Sequence, residues 1–198
     1  MPNLVNWQSF LKQKMQTLDE LWKLLDEVWK EAPSELTGEI TDKADAFYQA
    51  YWDLFHAAVE HQNLEEVQGE VQDALNDAGH EVSSAWKIVV DFRTQKSEDE
   101  LKNASNSGVS PLSEPRKALR DARAAISEGE EESGMNNYVS SVGKYKSCIE
   151  MCYLCDDKIG DAWETHRREK KRARADWVKI VIYAAVAAVL SFLAGKFL

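Results

Sequence analysis

Leucines at positions 4, 11, 18 and 25 fall seven residues apart, and Trp7, Leu21 and Val28 stand three residues beyond three of them. Lys14 takes the remaining companion position. This a/d pattern over almost four heptads predicts a helix across residues 4–29. Phe10, Met15, Trp22 and Trp29 widen the apolar stripe, which favours a helix of an intramolecular bundle over a narrow seam between two chains. Pro33–Ser34 closes the helix, and Ser34 is placed to cap the next one.

A second helix is expected to about Asn63, burying Ile40, Ala44, Phe47, Tyr51, Leu54, Phe55 and Ala58. A third runs from about Leu64 to Gln95 on the stripe Val67, Val71, Leu75, Ala78, Val82, Trp86 and Val89. Gly79 should loosen it, because an interior glycine costs about 1 kcal/mol relative to alanine. Residues 97–114 (SEDELKNASNSGVSPLSE) show no period and read as a linker between a long-helix segment, 1–96, and further bundle helices, 115–165. Ser113 and Pro115 mark the start of a short helix with Leu119, Ala122 and Ile126 inward, broken at Glu128–Gly134.

The last helix begins near Met135 and carries Tyr138, Val142, Tyr145, Ile149, Cys152, Ile159 and Trp163 at helical spacing. No proline follows. It is expected to continue through residues 166–179 into 180–198, over 60 residues and roughly 90 Å. The fold class is therefore all-α: a bundle of about five helices, the last continuing into a single C-terminal transmembrane helix.

Charge sharpens this picture. The net charge of −10 is split unevenly. Residues 1–166 hold 16 basic and 32 acidic side chains, whereas 167–198 hold 8 basic and 2 acidic. So acidic a body does not suit nucleic acid, whose phosphates need clustered cations. The segment Met1–Phe10 lacks the features of a signal peptide, and three cysteines crowded together do not form an extracellular disulfide framework. Both point to a reducing compartment.

From Ile180 to Gly195 there is no charged residue. As a helix this run is roughly 24 Å long, short of a hydrocarbon core of about 30 Å. Trp177 at the interface, snorkelling Lys179 and Lys196, and the apolar body from Ile180 through Leu190 make a tail anchor inserted after synthesis. The collar before it supplies Arg167, Arg168, Lys170, Lys171, Arg172 and Arg174 for anionic lipid. By the positive-inside rule it keeps the N-terminal domain cytoplasmic. Ala187, Ser191 and Gly195 are spaced by four, with Ala184 and Ala188 beside them. That interval lets helices approach closely in lipid, so self-association is expected there.

Cys148-x3-Cys152-x2-Cys155 is the one candidate for metal chemistry. Its spacing resembles the cluster-binding triad of radical S-adenosylmethionine enzymes over eight residues, and the resemblance implies an iron–sulfur cluster. The residues themselves lie in a helical pattern that puts all three thiols within about 60° of arc, where small core residues sit. Three thiolates along one straight helix are too spread for one zinc, which would need help from His56, His61 or His80. No cofactor is expected.

The leading expectation is a non-catalytic interaction or assembly module on a membrane, with the bilayer, other copies of itself and a protein partner as its contacts. One alternative is a membrane-perturbing or pore-forming effector that oligomerises through its last helix. Another is a redox protein using the cysteine triad.

Overall fold

The computed structural model describes the backbone of residues 4–60 and 64–197 and the side chains of residues 9–56 and 67–187. Among the described residues the fold is made of five α-helices: α1 (Leu4–Glu31), α2 (Thr37–Glu60), α3 (Leu64–Asn106), α4 (Ser113–Gly134) and α5 (Tyr138–Phe197). A 3-10 turn, Ser34–Leu36, joins α1 to α2. Among the described residues there is no strand.

Central to the arrangement is α3, which packs against every other helix. Pairings along it set the directions. Lys14 Nζ donates to the Gln72 side chain, Trp86 Nε1 to the Leu24 carbonyl and Arg93 to the Glu31 carbonyl, so α1 runs parallel to α3. Ser83 meets Ser141, Thr94 meets Cys148, and Ser97 meets Asp156, so α5 does the same. Arg123 pairs with Glu98 and Lys87 with Glu130, so α4 runs back. The short α4–α5 reversal is closed by Asn136, whose φ of 59° is one of the few left-handed positions asparagine tolerates.

The heptad leucines do their work inside one chain. Leu18, Leu21, Leu25 and Val28 are buried against α2 and α3, together with the whole expected α3 stripe from Val67 to Val89. Ile40, Ala44, Phe47, Ala50 and Leu54 face them from α2. Tyr51 and Phe55, expected on that face, are instead exposed. Leu54 completes the inward stripe, and Phe55 lies about 100° around the helix from it. A second, smaller core gathers Ala104, Val109, Leu112, Leu119, Cys155 and Ile159.

Three local expectations are corrected. Residues 97–106 are not linker but the last turns of α3, and only 107–112 are irregular. Ser97, Leu101 and Ala104 carry the inward stripe at helical spacing. Ser97 and Ala104 are small or polar, so the period was disguised. Gly108 at φ 75° turns the chain, and Val109 N–H closes on the Ala104 carbonyl. Next, α4 passes unbroken through Glu128–Gly134. Lastly, neither Ser34 nor Ser113 caps a helix through its side chain; the cap positions fall on Pro33 and Leu112.

Two glycines are close-packing positions rather than weak points. A Cβ on Gly79 would lie 2.1 Å from the Tyr138 ring, and one on Gly129 would lie 2.5 Å from the Tyr145 ring. Each tyrosine of α5 uses the missing side chain to approach a neighbouring helix.

Candidate functional site

Beyond the bundle, α5 continues as a free rod. Among the described side chains Ala162 is the last buried one, and every side chain from Arg167 to Ala187 is exposed. Arg168 pairs with Glu164 and Lys179 with Asp176, both within the helix. Among the described residues, Arg167, Lys170, Lys171, Arg172 and Arg174 make no ion pair. At about 100° per residue the seven cations fill one broad arc, and Glu169 and Asp176 fall together on the opposite side.

The apolar run follows directly. Trp177 is 70% exposed and Ile180 63%, and Val181, Ile182, Tyr183 and Val186 are also exposed. Leaving such side chains in water costs about 1.5–3 kcal/mol each relative to burial, on the order of 10 kcal/mol for the group. Ala184 and Ala187 lie on this stretch with no helix against them. The side chains of Ala188, Leu190, Ser191, Gly195 and Lys196 lie outside the described residues. Among those described, no helix is long and apolar enough to cross a membrane.

The cysteines sit elsewhere, on the face of α5 turned to α3. All three are free and buried. Thr94 Oγ1 lies 3.6 Å from both the Cys148 and Cys152 sulfurs. The Cys148 thiol hydrogen-bonds Cys152 and, with the Thr94 and Ser97 hydroxyls, holds the Cys152 pKa below the ordinary thiol value despite burial. Cys148, keeping its proton beside that partner in a buried site, is pushed up. Burial pushes Cys155 up to about 11, with Asp156 adding to the effect. Cys155 belongs to the second core and the other two to the first. Among the described residues no three histidine, cysteine or carboxylate groups converge to hold a metal. Of the proposed helpers, His56 lies against Trp52 and Phe55, far from this face. His61 is outside the described residues.

One feature escaped the sequence reading. Trp22 and Trp29, expected on the apolar stripe of α1, are 37% and 40% exposed, and Trp52 of α2 is 53% exposed. With Tyr48, Tyr51 and Phe55 they form an aromatic face on α1 and α2. A groove of about 310 Å³ runs through it, lined by Met15, Leu18, Asp19, Trp22, Phe47, Tyr48 and Tyr51. The available signal was a second stripe on α1, Met15–Asp19–Trp22–Asp26–Trp29, at the same four-three spacing as the buried leucines.

Comparison with family models, curated proteins and solved structures finds no match to this chain.

Proposed function

We propose that the protein is a non-catalytic assembly module held at a membrane by the apolar part of α5, with the acidic bundle on the cytoplasmic side. The observation that carries this reading is the bare apolar helix itself. Side chains from Trp177 to Val186 are exposed on all sides of α5, directly after a collar of exposed cations of which only Arg168 is ion-paired among the described residues. A bilayer relieves that exposure and neutralises the collar at once, each cation contributing about 1 kcal/mol against anionic lipid. The positive-inside rule then sets the orientation. Continuity of α5 from the bundle into the apolar run makes the attachment a stiff stalk rather than a tether. Ala184, Ala187, Ala188, Ser191 and Gly195 supply a close-approach face for copies meeting in lipid.

The test is flotation of the full chain with vesicles containing phosphatidylserine, followed by alkaline carbonate extraction. The chain is expected to float and to resist extraction. Ile180→Asp/Ile182→Asp should release it. Replacing the six collar cations Arg167–Arg174 by glutamine should weaken capture without abolishing it. A full chain left in the supernatant after carbonate treatment overturns the reading.

A further inference from the structure

Among the described residues, the aromatic groove of α1 and α2 and the rod of α5 are large apolar surfaces left uncovered, on parts of the chain whose net charges are opposite. We propose that in water, away from lipid, the groove of one copy receives residues 167–187 of a second copy. The contact is reciprocal across a two-fold axis.

Asp19 lines the groove, and helical spacing puts Asp26 beside Trp22 and Trp29 on α1 and Asp45 one turn before Tyr48 on α2. Lys23 and Lys30 pair with Asp19 and Asp26 within α1, so the negative sign of this surface comes from the net charge of the body as a whole. The body of the chain carries twice as many acidic as basic residues, and the segment after it reverses the sign. The collar then puts its cations on one arc and its two acids on the other, which suits a helix lying along an acidic surface on one side. Trp22, Tyr48 and Trp52 offer apolar area, with ring faces for cations.

The occupant cannot come from the same copy. Lys146 pairs with Glu27 and lies over Trp86, which puts this stretch of α5 near the end of α1, already past the groove. Ile180 is then roughly 50 Å further along an unbroken helix. A second copy running antiparallel brings its rod to the groove and offers its own groove in return. Two other occupants fit less well. The acidic body repels an anionic bilayer, and groove against groove would set acid against acid.

Bilayer and groove compete for Ile180–Val186, so the dimer is the form the chain takes before it meets lipid. The experiment is the mass of the full chain by sedimentation equilibrium in detergent-free buffer. Two full-length variants accompany it, Trp52→Asp on the aromatic face beside the groove and Ile182→Asp in the rod, both at exposed positions, with helicity checked by circular dichroism. The wild type should be a dimer that salt weakens and detergent dissociates. Each variant alone should dimerise about a hundredfold more weakly. An equimolar mixture should regain part of the dimer, because one of the two reciprocal contacts, the rod of the Trp52→Asp chain in the groove of the Ile182→Asp chain, stays intact.

A wild-type monomer overturns the proposal. So does wild-type dimerisation by Ile182→Asp, which means groove meets groove, or by Trp52→Asp, which means rod meets rod. A mixture that fails to pair, or an aggregate that neither variant disperses, overturns it as well. Trp52→Asp keeps its rod and should still float with vesicles, so failure of this dimer is distinguishable from failure of the membrane reading.

Discussion

Replacing Gly129 by alanine should destabilise the protein, and replacing Gly79 should not, although the second substitution creates the closer overlap. Alanine gains about 1 kcal/mol of helix propensity over glycine at either interior position. Against this stands the new methyl. At Gly129 it would lie 2.5 and 2.8 Å from two carbons of the Tyr145 ring, nearly 1 Å inside ordinary contact. Tyr145 is 1% exposed in the main core, so its ring has nowhere to go. Overpacking a closed site costs about 1–3 kcal/mol, and the upper half applies here. The net loss is about 1–2 kcal/mol, or roughly 3–6 °C in Tm for a domain of this size.

At Gly79 the new methyl would lie 2.1 Å from the Tyr138 ring, but Tyr138 is half-buried and begins α5, with its hydroxyl donating to Asn136. It can swing toward solvent. Lost ring burial and gained propensity then nearly cancel, within about 1 kcal/mol. Thermal unfolding of the full chain in non-ionic detergent, followed by far-ultraviolet circular dichroism, measures both. In a Tyr145→Leu background the sign at Gly129 should reverse, since the smaller side chain leaves room for the methyl. If Gly79→Ala proves the more damaging, or Gly129→Ala is neutral, the packing argument for these glycines fails.

Three further outcomes follow from the buried polar groups. Ser83→Ala strands the Ser141 hydroxyl, now 3.0 Å away and fully buried, and should cost about 1–2 kcal/mol, while the Ser83→Ala/Ser141→Ala pair should recover most of it in urea unfolding. Thr94→Val removes a donor that lowers both thiols of the Cys148–Cys152 pair, so thiolate absorbance should appear only at higher pH; an unmoved onset would show that the hydroxyl is idle. Cys155 is raised from 9.0 to about 11, so the folded state holds a proton that the unfolded state has lost. Its contribution is complete below pH 9 and disappears as pH rises to about 11, where Cys155→Ala should have lost about 2 kcal/mol less than wild type. Parallel stability curves for the two proteins over that range would count against burial as the cause.

Helix number, the α3 stripe and the unbroken run of α5 were legible in the sequence because each is a local matter. A 3.6-residue period of large apolar side chains declares itself without reference to any neighbour, as Val67 to Val89 do, and the absence of proline after Met135 lets one helix persist. The split of charge between body and collar is likewise a property of the chain alone. Tertiary structure decided which of several apolar stripes would be covered. α1 and α2 each carry two, and a helix held against α3 from one side buries only one of them. Leu18 and Leu25 went inward, and Trp22 and Trp52 stayed in water. It also decided the meaning of small residues. Gly79, Gly129, Ser97 and Ala104 look like weak points or linker in isolation. They are contact points in the bundle, because the space a small side chain leaves has a use only when another helix arrives to fill it.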